Sequence, residues 1–274
     1  MMQEGTLPVA KKRFGQNFLV QPYIVERIMD ALRPDRQDVL LEIGPGPGAL
    51  TQKLLQVLDH LTVIELDRDM IPGLEALASS GQMTIMQADA LKVDFARLSD
   101  SDKQLRVVGN LPYNVATPII FHILESVGQI QDMHFMLQKE VVERMVAAPG
   151  SKTYGRLSVM IQAWCEVESL FTVGPGNFFP APKVDSAFMR LLPYKPVLLT
   201  DCLRPVFARI VTSSFAQRRK TIANNLRGIF NAEQLRALDI DPSCRAETLD
   251  QAAFFRLAEA FAEQGTQDES CRSG

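Results

Sequence analysis

Two residue types that often announce chemistry are scarce: the 274-residue chain has four cysteines and three histidines. Cys165, Cys202, Cys244 and Cys271 are scattered, with no C-x-x-C pair, which points to free thiols in a reducing compartment. His60, His122 and His134 also lie apart, so no metal site is expected. Long apolar runs are missing. No stretch approaches the ~20 residues a bilayer span needs, and no membrane partner is expected. The opening "MMQEGTLPVAKKRFGQ" has no apolar core behind its charges and does not read as a secretory signal. A cytoplasmic location is the expectation. Internal repeats and low-complexity blocks are absent too.

Excess charge is also lacking. A net charge of −3 argues mildly against a nucleic-acid partner. Charge is nevertheless clustered. Lys11, Lys12 and Arg13 are consecutive, while Arg204, Arg209, Arg218, Arg219, Lys220 and Arg227 face only Asp201 as an acid between 200 and 230. Local clusters, not the total, set the field that a phosphate backbone feels. A solvated face is the plain alternative for each.

What is present is an alternating rhythm. Strands are predicted at 38–43, 61–66, 83–89, 105–110 and 132–138, with helices at 49–57, 70–78 and 117–127 between them. Val, Ile and Leu-rich strands alternating with helices imply an α/β fold, a mostly parallel sheet with helices on both faces. After about 150 the rhythm changes. A buried helix is predicted at 156–167, and "SLFTV" and "SAFMRLLP" read as a strand pair around the loop "GPGNFFPAPKVD" (174–185). Helices are predicted at 203–215, 217–230, 232–238 and 249–263, with a disordered tail after about 265. Two domains are expected, 1–196 and a small all-helical 197–274.

"EIGPGPGAL" (42–50) follows the first of these strands and opens a helix. Glycines let a ligand approach the backbone, and helix N-terminal amides point at it. Glu65, about twenty residues on, ends the next strand, where a carboxylate binds ribose hydroxyls. Gly44, Gly46 and Ala49 also satisfy the dinucleotide form G-x-G-x-x-A, so a dehydrogenase competes at this point. Asp89 ends the third strand, placed either to accept from a cofactor adenine amine or simply to cap a turn. Gly44, Glu65, Asp89 and Asn110 all fall at strand carboxyl ends, where open α/β sheets bind ligands.

"GNLPYN" (109–114) ends the fourth strand. The Asn110 amide and the Leu111 carbonyl suit the two N–H bonds of an adenine amine, and favour a pyramidal nitrogen whose lone pair faces a methyl donor. Pro112 holds that backbone, and Tyr113 offers a face on which an extruded base stacks. Hydride transfer has no use for this arrangement.

"RFGQNFL" (13–19), "EIGPGPGALT" (42–51), "VIELD" (63–67), "GNLPYN" (109–114), "MLQKEV" (136–141), "YGRLSV" (154–159), "FFPAPKVDSA" (178–187) and "FAQRRKTIANNL" (215–226) together resemble the ribosomal RNA adenine N6-dimethyltransferases. The resemblance covers nearly the whole chain, and its bacterial branch dimethylates two adjacent adenosines near the 3′ end of small-subunit ribosomal RNA. It implies a Rossmann-like S-adenosylmethionine methyltransferase domain followed by a helical RNA-binding domain. By that resemblance Asn17 and Leu19 close over S-adenosylmethionine, Gly44 lies under its methionine part, Glu65 holds its ribose and Asp89 its adenine. Asn110 serves both cofactor and target amine. Phe178 stacks on the target base, with neighbouring Phe179 as its rival. Lys11, Lys12, Arg13 and a helix bearing Arg218, Arg219 and Lys220 would meet RNA phosphates. A monomer acting on the immature small subunit is the implied state. A ribosome-assembly factor whose catalysis is secondary, or a dimethyltransferase for another RNA, is the alternative.

Overall fold

A computed structural model describes residues 10–11, 15–99 and 103–272, with side chains through residue 264. In chain order it holds β1 (Phe18–Leu19), α1 (Pro22–Leu32), β2 (Val39–Ile43), α2 (Thr51–Leu54), β3 (Leu61–Glu65), α3 (Ile71–Glu75), β4 (Met83–Gln87), β5 (Leu105–Asn110), α4 (Ala116–Leu124) and β6 (Ile130–Gln138). Next come α5 (Lys139–Met145), α6 (Arg156–Gln162), β7 (Cys165–Val173), β8 (Phe178–Phe179) and β9 (Ser186–Pro193). The helices α7 (Leu203–Ser214), α8 (Ile222–Asn225), α9 (Ala232–Ala237) and α10 (Gln251–Arg272) complete the chain. Among the described residues, no helix is long and apolar enough to cross a membrane.

The main sheet has the order β4-β3-β2-β5-β6-β9-β7. Strands β2 to β6 pair in parallel, and β9 runs antiparallel to β6. Val, Ile and Leu side chains such as Leu41, Val63, Val107 and Val108 are fully buried on these strands, as expected where helices cover both faces. The chain leaves β2 on one side, through β3 and β4, and returns to its other side at β5. That reversal opens a crevice at the carboxyl ends of β2 and β5. Gly109 shows how tightly the two strands close there. A Cβ on it would lie 2.6 Å from the Ile43 carbonyl oxygen.

Two compact units form: residues 1–142 with 167–193, and 143–166 with 194–274. The sequence expectation ran the first domain unbroken to 196, whereas 143–166 belongs to the second unit. Long-range contacts explain this, since the Tyr154 hydroxyl donates to the Leu249 carbonyl at 3.0 Å and Trp164 lies under Arg204 at 4.5 Å. In that unit Phe207, Ile210, Ile222, Leu226, Leu235 and Phe254 form the buried core.

Other departures are local. The helix predicted through 167 stops at Gln162, and β7 begins at Cys165, because "CEVESLFTV" alternates with the two-residue period of a strand. The predicted helix over 217–230 is interrupted. Phe215 caps α7, and Thr221 restarts the chain as the N-cap of α8, accepting from the Asn224 amide. Arg218, Arg219 and Lys220 therefore lie on an exposed loop between helices and not on a helix. Helix α10 continues to Arg272, past the point where a disordered tail was expected. Helix α1 went unread, although Pro22 opens it and Ile24, Val25, Ile28 and Leu32 form its buried stripe.

One buried charge ties the first unit together. Arg106 on β5 is 7% exposed; its Nη2 donates to Asp132 at 2.8 Å and to the Leu32 carbonyl at 2.7 Å, while its Nη1 reaches Asp38 at 2.6 Å. Removing the guanidinium leaves Asp132 buried and unpaired. Arg106→Met is expected to lower unfolding free energy by about 3–5 kcal/mol. Urea unfolding checks this, and a change below about 1 kcal/mol would show that the cluster carries little stability.

Candidate active site at the carboxyl ends of the sheet

The crevice is a cavity of about 240 Å³ lined by the N-terminal segment, the glycine loop, the ends of β3, β4 and β5, and Phe178. Its floor is the loop after β2. Gly44, Gly46 and Gly48 have φ of +68°, +55° and +86°. That left-handed backbone disfavours any residue with a Cβ. At Gly48 a Cβ would also lie 2.3 Å from Leu77 Cδ1, so that side chain would have to move aside. The Gly44 amide donates to the Ile64 carbonyl at 2.9 Å, which ties the loop to β3.

Glu65 is 5% exposed at the end of β3. The Gly46 amide donates to its Oε2 at 3.1 Å and the Asp67 amide to its Oε1 at 2.8 Å. Burial pushes the carboxyl up, and these amides only partly offset it. Each oxygen retains a lone pair for a ligand. Asp89 lines the cavity and also accepts from the Leu91 amide at 3.0 Å, so it caps a 3₁₀ turn as well.

Asn110 presents its amide in one defined orientation. Its Nδ2 donates to the Asn17 carbonyl at 2.8 Å. A carbonyl only accepts, so the nitrogen must sit on that side and Oδ1 is the remaining acceptor. The Leu111 amide is taken up by the Met136 carbonyl at 3.3 Å. The Tyr113 hydroxyl shares a 2.6 Å hydrogen bond with Ser186 Oγ on β9. Leu19 pairs with Phe178, and Phe18 with Phe179, in the two-stranded β1–β8 ribbon. Adjacent strand residues point to opposite faces. Phe178 is 4% exposed and lines the cavity, whereas Phe179 is 52% exposed and does not.

A family model described as ribosomal RNA adenine dimethylase matches residues 9–263. The chain belongs to this family. A ribosomal RNA small subunit methyltransferase A of Acidithiobacillus ferrooxidans is 72% identical over 97% of this chain and 100% of its own length. The protein of the same name from Nitrosococcus oceani is 50% identical over 90% of this chain and 94% of its own. Among solved structures, a dimethyladenosine transferase from Plasmodium falciparum is similar with a TM-score of 0.79 and 26% identity, over 90% of this chain and 98% of its own. The 23S rRNA methyltransferase ErmE shares the fold, with a TM-score of 0.71 at 24% identity over 89% of this chain and 99% of its own.

The sequence-predicted residues Asn17, Leu19, Gly44, Glu65, Asp89, Asn110, Leu111, Pro112, Tyr113 and Phe178 all line the one cavity. Lys12 and Arg13 lie outside the described residues. Lys11 bonds to Asp67 and Asp69, each at 2.5 Å. Arg218 donates to Glu247 at 3.3 Å and to the Lys152 carbonyl at 2.8 Å. Sequence reasoning missed Asp67, Ser186 and Glu42 as individuals, although all three sit inside motifs that it quoted.

Glu42 is 3% exposed and bonded to Thr51 Oγ1 at 2.7 Å. Burial first, and the nearby Glu65 charge second, push its carboxyl up to about 7 from 4.5, against the Thr51 bond that lowers it. Between those values the folded chain holds a proton that the unfolded chain has lost. Its contribution is complete below pH 4.5 and vanishes as pH rises through 7. At roughly 1.4 kcal/mol per unit, the total is on the order of 3 kcal/mol. Glu42→Gln is expected to flatten this decline in urea unfolding followed from about pH 5 to 8. An identical decline in both proteins would show that Glu42 does not titrate there.

Proposed function

We propose that this protein dimethylates N6 of two adjacent adenosines near the 3′ end of small-subunit ribosomal RNA, with S-adenosylmethionine as methyl donor. Family membership supports the reaction. The observation that carries its assignment to this site is the Asn110 amide, fixed by Asn17 so that Oδ1 is left as acceptor beside a nucleoside-sized cavity.

The residues present fit the cofactor. Gly44 has no atom nearer than 3.8 Å to a Cβ built on it, which leaves the loop backbone approachable for the methionine part. Glu65 suits the ribose hydroxyls, Asp89 the adenine amine, and Asn17 and Leu19 cover the group from the N-terminal side. S-adenosylmethionine, when bound, supplies an electrophilic methyl carbon on a sulfonium sulfur.

The rest is done by this chain's own groups. Asn110 Oδ1 accepts one N–H of the target amine and the Leu111 carbonyl the other. That draws the nitrogen lone pair out of the ring and toward the methyl carbon. Tyr113, held by Ser186, and Phe178 clasp the base after it leaves its stack. Alkylation acidifies the nitrogen, so its proton passes to solvent without a strong base. After one transfer a single N–H remains, which one acceptor still orients for the second. Catalysis rests on placement and two hydrogen bonds. Arg218, Arg219 and Lys220 would contact phosphates, which sets register without reading bases. An immature small subunit bound by one protein chain is the substrate complex. A binding factor with secondary catalysis leaves the Asn110 geometry without a task.

Labelled methyl transfer to undermethylated small subunits, followed by nucleoside analysis, tests the reading. Dimethyladenosine is expected with the wild-type chain. Asn110→Ala is expected to reduce transfer by about 10²-fold or more, by analogy with loss of one oxyanion-hole donor, while RNA association is kept. Full activity in that variant would contradict the assignment.

A further inference from the structure

Asp67 is a junction. It is 2% exposed, two residues beyond the Glu65 carboxylate, to which its own amide donates at 2.8 Å. Its side chain takes Lys11 Nζ on Oδ1 at 2.5 Å and Gln16 Nε2 on Oδ2 at 3.3 Å. The Lys11 amide in turn donates to Gln16 Oε1 at 2.8 Å. The next residue, Asn17, supplies the carbonyl that fixes Asn110. One continuous set of bonds therefore runs from Glu65 through Asp67, Lys11 and Gln16 to Asn110.

We propose that Lys11 and Asp67 are positioning residues, a clasp that holds the N-terminal segment against the cofactor end of the cavity, and that Lys11 is not an RNA phosphate contact. This rests on the functional reading above. An ammonium committed to the carboxylates of both Asp67 and Asp69 has little left for a phosphate. Those carboxylates also hold Lys11 in its charged form. A buried carboxylate, conversely, needs its cation. Without Lys11 the Asp67 charge is uncompensated beside Glu65, whose own carboxyl it already pushes up. The loss is thus transmitted to the group that receives the ribose, while the segment before Asn17 is left tied to Asp67 by Gln16 Nε2 alone.

The test separates cofactor from RNA. Titration calorimetry with S-adenosylmethionine, and RNA binding over a salt series, are run on the wild-type chain, Lys11→Met and Lys11→Arg. Lys11→Met is expected to weaken cofactor binding about tenfold and to raise the cofactor KM in step, with kcat changed less than about threefold. Its RNA affinity and salt slope should match wild type, and Lys11→Arg should restore cofactor binding, since a guanidinium still pairs with Asp67. Asp67→Asn should repeat the cofactor defect; if it does not fold, the Lys11 pair alone decides. Unchanged cofactor affinity in Lys11→Met, with RNA affinity reduced and the salt slope lowered by about one, would overturn the clasp. Failure of the wild-type chain itself to bind S-adenosylmethionine would instead strike the functional reading.

Discussion

At the end of β5 there is no room for a side chain between strands. Gly109 brings its backbone against the Ile43 carbonyl, and the shape of the cavity depends on that closeness. It sets the loop after β2 beside the segment after β5, where a Cβ on Gly44 would be in ordinary contact, at 3.8 Å, with the Asn110 carbonyl oxygen. In the proposed reaction, a cofactor over the first and an amine at the second would share one cavity. A parallel sheet whose order reverses at β2 supplies the crevice, and a missing side chain brings its two walls within reach.

Polar satisfaction fixes the rest. Glu65 is held by two backbone amides, Asn110 by a backbone carbonyl and Tyr113 by Ser186. None of the three is left to choose its own rotamer, and a reaction that depends on placement needs groups whose geometry is set before the substrate arrives. Glu42 stands apart as a buried carboxyl held by Thr51, and its burial works against its charge.

Much of this was legible in the chain. Buried parallel strands are continuous runs of Val, Ile and Leu, and β2 and β3 were read within a residue of their ends. The strand-end residues Gly44, Glu65, Asp89 and Asn110 could be placed because a sheet of this kind delivers its ligands there. Contacts between distant residues were not legible. The β1–β8 ribbon is two residues long on each side and has no local signal, yet its alternation is what separates Phe178 from Phe179. The break in the helix at Phe215 to Thr221 depends on a cap that competes with good helix formers on either side. Lys11 read as part of a basic run because its carboxylate partners lie more than fifty residues away.

The central claim is that Asn110 presents a carbonyl oxygen to a nucleobase amine, with its nitrogen side already occupied. A crystal structure with a methyl-donor analogue and adenosine bound together would measure this directly. The account predicts the adenosine N6 at about 3 Å from Asn110 Oδ1, with Nδ2 still on the Asn17 carbonyl. An N6 placed well outside that reach, or an Asn110 amide turned away from Asn17, would contradict it.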